Sequence, residues 1–311
     1  YFADLLGAGA ACALVVPALK LLSPPGAIAL GGLVLAMAGL GPAARTSRPL
    51  FQACGALSAV IALGVAFPRL LPDPVTDQLK TIRPETTTLF SKWSPVFRID
   101  VTETPGNPNV RIVHHDGLWG STLHRFNGAL RSLTRFDKDE RSFPFKVLGT
   151  PPPNTLIIGA AGGHEILASL YFGAGHVNAV ELNPVTVSLT TKVFADYVGH
   201  LPEHPKVSLI NDEGRSYLTR DKQLYDLIFF VAPDSYSAMN AATAGAFVLS
   251  ESYLYTVEML VSSLQHLTEH GVICMQFGEF FYDRKPHRTA RYVGTARQAM
   301  RQLGVDDPTT H

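Results

Sequence analysis

The pattern of apolar and polar positions divides the 311-residue chain into two unlike parts. Up to Pro68 the charged residues are Asp4, Lys20, Arg45 and Arg48, and the other 48 of the 52 follow that point. Three stretches, 1–19, 26–40 and 50–67, carry few or no charges, with breaks at Ser23-Pro24-Pro25 and between Gly41 and Pro49. Between Pro72 and Thr87 the chain turns polar and proline-containing, which reads as a linker. Two alternating runs, 97–102 and 109–114, flank Pro105-Gly106-Asn107-Pro108 and predict a β-hairpin. From Asn154 the rhythm changes again, and short β-branched runs alternate with helical segments, as in a parallel sheet built from crossover units. The predicted strands are TLIIG at 155, VNAVEL at 177, KVSLIN at 206, YDLIFF at 225 and GVICMQF at 271. The predicted helices run over 163–172, 184–197, 214–220, 253–270 and 289–303.

The division expected from this pattern is transmembrane helices over 1–70, a linker over 71–92, a β-hairpin subdomain over 93–150 and a nucleotide-binding domain over 151–311. The outer two apolar stretches approach the ~20 residues needed to cross a ~30 Å hydrocarbon core, and the middle one is shorter. Small residues recur through them, as in GAGAACA at 7 and GGLVLAMAGLG at 31, which suits close helix packing in lipid. Asp4 reads either as an intramembrane functional group or as an interfacial residue. The chain opens on Tyr1 inside an apolar segment and stops at VDDPTTH, so truncation is expected at both ends. Arg45 and Arg48 pull the second loop towards the cytoplasm, while Arg69, Lys80 and Arg83 follow the third stretch. An integral protein of a bacterial inner membrane is expected, with its soluble domain on the cytoplasmic side.

Net charge is zero and Lys and Arg form no runs, so no footprint for a nucleic-acid backbone is visible. Cys12, Cys54 and Cys274 lie far apart in apolar stretches, without metal-ligand spacing or a disulfide framework, and no metal is expected. Candidate chemistry begins at Gly159-Ala160-Ala161-Gly162-Gly163, which follows the first strand of the parallel series and opens a helix, where backbone must approach a ligand closely. Glu181 ends the next strand, the place for a carboxylate that accepts from both ribose hydroxyls. Ala161 and His164 stand where a pyrophosphate-binding G-x-G-x-x-G turn has its later glycines, and a second acid, Asp212, ends the third strand. One acid for ribose and one for adenine describes adenosine held without a pyrophosphate. Glu213 belongs to the same acidic strand end, and Glu165 either favours the positive end of its helix or faces a sulfonium tail. Past the fourth strand, VAPDSY places Asp234 beyond a carboxyl strand end, suited to bind an amine or take its proton, with Tyr236 beside it as a tentative substrate contact.

LIIGAAGGHEILASLYFGAGHVNAVELNP, NDEGRSYL, YDLIFF and SESYLYTVEML together resemble the spermidine synthase family, in particular its membrane-fused members, from about Trp93 onward. The resemblance implies a Rossmann-like class I methyltransferase fold, a doubly wound parallel sheet preceded by a small β-hairpin subdomain. It implies decarboxylated S-adenosylmethionine as donor of an aminopropyl group to a diamine such as putrescine, in polyamine biosynthesis. By that resemblance Gly159, Gly162 and Gly163 belong to the donor turn, Glu181 to the ribose and Asp212 to adenine, while Asp234 matches the second acid of a paired-aspartate loop.

Three departures fall on the acceptor side. Val231 replaces the first acid of that loop, RSFPFKVLG replaces a Tyr- and Glu-bearing stretch that grips the polyamine, and Gly120 stands where a glutamine follows Asp116-Gly117. Trp93, Trp119, His114 and His115 read either as walls of an acceptor pocket or as packing, and Tyr253, Tyr255, Met259 and Leu260 read mainly as packing. The leading expectation is a membrane-anchored aminopropyltransferase with a small-molecule amine acceptor, the bilayer as partner and a homodimer as a further option. The alternatives are a methyltransferase using intact S-adenosylmethionine on a small or lipid-like acceptor, and a non-catalytic membrane protein with a nucleotide-sensing domain.

Overall fold

The computed structural model describes residues 1–71, 86–231, 254–276, 283–284 and 287–310. The apolar N-terminal part forms α1 (Phe2–Thr46) and α2 (Arg48–Ala66), both long and apolar enough to cross a membrane. Ser23, at φ 63° and ψ 165°, breaks α1 just before Pro24 and Pro25. Ser47 separates α1 from α2 in an extended conformation and caps α2 through its hydroxyl at 3.4 Å from the Leu50 N–H. Leu6, Leu14, Ile28, Leu35, Val60 and Leu63 are exposed, unlike the side chains of a helix buried in a soluble core. A side chain at Gly7, Gly9, Gly31, Gly32, Gly39 or Gly41 would meet nothing within 4 Å among the described residues, whereas one at Gly26 would meet Leu22 at 3.0 Å and Pro68 at 3.5 Å.

The expected hairpin is the centre of a four-stranded antiparallel sheet, β1 (Thr88–Lys92), β2 (Ile99–Glu103), β3 (Val110–His115) and β4 (Leu118–His124), paired in chain order. β1 begins inside the stretch expected as linker, and β4 follows a turn at Asp116-Gly117 in which both residues take positive φ. Ile99 and Val101 on one face of β2, and Asp100 and Thr102 on the other, are all buried, so this strand is covered on both sides. The chain then passes through short turns to α3 (Phe143–Leu148).

The second sheet holds β5 (Asn154–Ile158), β6 (His176–Glu181), β7 (Val207–Asn211), β8 (Tyr225–Val231) and β9 (Leu267–Gln276) in the order β7-β6-β5-β8-β9, every pair parallel. The chain steps outward from β5 to β7 and returns beside β5 at β8, which makes a doubly wound, Rossmann-like sheet with its switch point at β5 and β8. Around it lie α4 (His164–Tyr171), α5 (Pro184–Ser188), α6 (Gly214–Arg220), α7 (Val257–Gln265) and α8 (His287–Gln302). The helix expected over 184–197 is α5 followed by a single π turn at Leu189–Val193, closed by the Phe194 N–H on the Leu189 carbonyl at 2.8 Å. The helix expected to reach residue 270 stops at Gln265, because Leu267 onward pairs with Tyr225 and its successors as β9.

One face of the parallel sheet, with Ile157, Val177, Ala179, Leu227 and Phe229, shares a core with Ile166 and Leu167 of α4 and with Val101, Val113 and Leu123 of the antiparallel sheet. The other face, with Leu156, Ile158, Val180, Ile228 and Phe230, packs on Leu218, Leu254 and Met259. The antiparallel sheet therefore lies on the side of α4 and of the glycine bend that opens it.

Candidate functional site

The site starts where β5 ends. Gly159 and Gly163 have φ of 91° and 85°, and Ala161 between them is itself left-handed at 41°, a conformation costly for a residue with a Cβ. The Gly159 and Ala160 N–H groups both donate to the Val180 carbonyl at 3.0 Å, tying the bend to the neighbouring strand.

Glu181, the last residue of β6, turns its carboxylate into this bend. Oε2 accepts the Ala161 N–H at 2.9 Å and Oε1 accepts the Asn183 N–H at 2.8 Å. The side chain is buried, which pushes its pKa up, while the two backbone donors pull it down. Asn183 is fully buried and caps α5 through its side chain on the Val185 N–H at 2.9 Å. The Asn-Pro pair after Glu181-Leu182 carried this helix-start signal, though it was not read as part of the site.

Asp212 lies directly after β7, its N–H on the Glu181 carbonyl at 3.1 Å, so the two acids are neighbours at the carboxyl edge of the sheet. Its Oδ1 accepts the Glu213 N–H at 2.8 Å and its Oδ2 pairs with Arg220, which is 63% exposed. Such an exposed pair holds with at most ~1 kcal/mol, so a ligand amine can compete for the oxygen. Glu213 caps α6 by accepting the Arg215 and Ser216 N–H groups at 2.7 and 2.8 Å. Both of its oxygens are thereby occupied by the helix start.

Glu165 is buried and accepts from Nε of Arg141 at 2.6 Å, and Arg141 also reaches Oδ1 of Asp139 at 3.2 Å. Burial raises the Glu165 pKa and the guanidinium opposes that rise. This pair fastens the segment before α3 to the first turn of α4, a partner that no reading of the sequence supplied. Beside it His164 packs edge-on against His124 and Phe136, at 4.2 and 5.0 Å between ring centres, and burial holds its pKa down to about 2. Arg135 lies over the Phe136 ring at 4.5 Å, with Nε and one terminal nitrogen buried and unpartnered.

Gly162 answers to the protein itself as much as to a ligand. A Cβ there would stand 1.9 Å from the Thr122 carbonyl oxygen of β4, and the Gly162 N–H donates to Oγ of Ser121 at 3.4 Å. β4, which supplies this contact, carries no alternating strand signal after Asp116-Gly117 in the sequence. Of the other residues singled out, His114 is buried with Nε2 at 2.9 Å from the Thr102 hydroxyl, His115 stacks on Phe97, Trp93 lies under Arg98 and Trp119 is exposed. Tyr255 stacks on Tyr292 at 4.6 Å, and Met259 and Leu260 are buried, as packing residues are. Val231 ends β8 half-buried against the core. Asp234, Tyr236 and Tyr253 lie outside the described residues. No cluster of His, Cys, Asp and Glu suited to a metal ion occurs among the described residues.

The glycine bend, Glu181 and Asp212 thus form one edge able to receive a nucleoside. In sequence the chain is 24% identical over 212 residues to polyamine aminopropyltransferase 1 of Streptomyces coelicolor, covering 67% of this chain and 36% of that protein. It is 25% identical over 154 residues to the polyamine aminopropyltransferase of Thermoplasma volcanium, covering 50% of this chain and 51% of that one. Both relatives are polyamine aminopropyltransferases, so the chain is similar to the spermidine synthase family. The aligned parts thus span between about a third and a half of those relatives' lengths. No protein-family model matches the chain. Among solved structures it is similar to spermidine synthase from Thermotoga maritima, with a TM-score of 0.48 and 19% identity over 69% of this chain and 63% of that one.

Proposed function

We propose that this protein is a membrane-anchored, spermidine synthase-like transferase that moves an aminopropyl group from decarboxylated S-adenosylmethionine to an amine. The observation that carries the reading is the Glu181 carboxylate, which holds the Ala161 N–H of the bend and keeps further lone pairs for two ribose hydroxyls. Asp212, one strand over, would receive the adenine amine. The donor's sulfonium makes its adjacent carbon electrophilic, and the protein's part is positioning and electrostatics. Asp234 is proposed on sequence grounds to orient the amine, with Tyr236 beside it. The exposed apolar surfaces of α1 and α2 support anchoring in a bilayer, proposed to be a bacterial inner membrane with the transferase domain on its cytoplasmic side.

A second reading has its own observation. Half-buried Arg135, beside the first turn of α4, offers two buried nitrogens without a hydrogen bond, a place for the carboxylate of intact S-adenosylmethionine and hence for methyl transfer. The assay that separates them supplies each donor with putrescine to the purified full chain and measures the thioether nucleoside released. Turnover with the decarboxylated donor supports aminopropyl transfer; turnover with the intact donor alone refutes it in favour of methyl transfer.

A further inference from the structure

Gly120 is where the antiparallel sheet makes room for an imidazole. A Cβ at position 120 would lie 2.4 Å from Nδ1 of His115 and 2.6 Å from its Cε1, so the His115 ring fills the volume that any other residue at 120 would take. The ring stacks on Phe97 at 4.4 Å between centres with planes 30° apart, and its Nε2 is buried without a hydrogen-bond partner. A buried, unpaired ring nitrogen is costly unless something outside the protein completes it.

Register shows which way the ring faces. His115 pairs with Ile99 and Val113 with Val101 and Ser121, and opposite residues of an antiparallel pair share a face. His115 therefore lies in the same row as Ile99, Val101, Val113 and Ser121, the row that packs on the nucleotide domain. Ser121 in that row receives the Gly162 N–H, and the carbonyl of Phe97 accepts from Asn183 Nδ2 at 3.5 Å. Asn183 in turn gives its N–H to Glu181. Gly120, against the His115 ring, directly precedes the Ser121 that meets the bend, and Phe97, stacked on the ring, is tied through Asn183 to Glu181.

We propose that His115 is an acceptor-side residue of this site, its uncharged imidazole receiving an N–H of an amine that enters as the free base. The inference rests on the transferase reading. Chemistry favours a free base here. The amine lone pair forms the C–N bond and the C–S pair leaves on sulfur, so the positive charge passes from sulfur to nitrogen. The product keeps its proton as an ammonium, and no base is needed during the displacement if nitrogen arrives uncharged. The surroundings fit such an entrant. His114, on the opposite face of the same strand, is bonded to Thr102, and Arg98 and Asp100 pair at 2.9 Å on that opposite face of β2. Asp116 holds the Arg98 N–H, Val231 at the end of β8 is apolar, and Glu181 is the acid this reading commits to the bend and the ribose. Burial, together with neighbouring His114, keeps the His115 pKa near about 4, so the ring stays neutral throughout the working pH range.

The test uses the full chain in detergent with decarboxylated S-adenosylmethionine and propylamine. For the wild type, kcat/KM should rise with pH in step with the free-base fraction of propylamine. His115→Ala should lower kcat/KM about 10- to 100-fold with donor affinity unchanged, and His115→Gln, which restores a hydrogen-bond acceptor, should recover most of it. Gly120→Ala, which displaces the ring, should copy the His115→Ala loss. In ¹⁵N spectra of protein saturated with methylthioadenosine, the His115 Nε2 resonance should move when propylamine is added. Wild-type protein that binds neither sulfonium donor would overturn the transferase reading and this proposal with it. Intact donor binding with His115→Ala turnover within twofold of wild type, or an Nε2 signal indifferent to propylamine, would overturn the proposal alone.

Discussion

Replacing Glu181 by glutamine keeps the shape of the strand end and removes its charge. The carboxylate takes one backbone N–H on each oxygen, from Ala161 and from Asn183. An amide has one accepting oxygen, so either N–H must face an NH₂ group and is stranded in a buried place, at ~1–3 kcal/mol. Part of that is offset, because the neutral amide escapes the desolvation that raises the Glu181 pKa. The net loss expected is ~1–2 kcal/mol, a fall in Tm of several degrees for a domain of this size. Donor binding should suffer more. A ribose hydroxyl whose bond to a charged acceptor is lost forfeits ~1.5–3 kcal/mol, or roughly 10- to 150-fold in Kd for each such bond. The pH dependence has a definite sign. The folded-state pKa of Glu181 is raised, so wild-type affinity should fall as acidification protonates it at a pH above the usual carboxylate range. The glutamine variant should be flat over the same range. Calorimetric titration of both proteins between pH 5 and 8 reads both effects, and a glutamine variant that binds donor like wild type would refute the ribose assignment.

Gly162→Ala should separate β4 from the bend, because its Cβ would stand 1.9 Å from a backbone oxygen that no rotamer change can move; a stability loss of ~1–3 kcal/mol or more is expected in urea unfolding, and none would contradict the packing described. Arg141→Met leaves Glu165 buried without its cation and should cost ~3–5 kcal/mol at pH 8. The folded-state pKa of Glu165 is already raised, so the burden appears as pH rises through that value and is absent below its unfolded pKa. Urea midpoints for the variant and wild type should therefore converge towards pH 5, and a constant difference would speak against a charged Glu165. The chain should sediment with membranes and resist extraction at alkaline pH, whereas a chain starting at residue 86 should be released; equal partitioning of the two would remove α1 and α2 as anchors.

The parallel sheet was legible because its strands are short continuous β-branched runs punctuated by glycine and proline, a pattern set by burial on both faces. The ends of α7 and β9 were not, since LTEHGV alternates weakly and its assignment depends on pairing with β8, which no local rule contains. β4 escaped for a similar reason. Leu118-Trp119-Gly120 breaks the alternation where the ladder bulges, and the glycine is explained only by the His115 ring opposite. Glu181 and Asp212 were visible because strand-end acids follow the order of elements. The partners that fix the site, Arg141 for Glu165 and Thr122 for Gly162, lie 24 and about 40 residues away and carry no motif.

The most direct measurement is a calorimetric titration of the purified chain with decarboxylated S-adenosylmethionine and, separately, with the intact form. Saturable binding of the decarboxylated donor at one site per chain, weakened in Glu181→Gln and in Asp212→Asn, is the result the account predicts. Absence of binding by both sulfonium nucleosides, or binding untouched by either substitution, would contradict it.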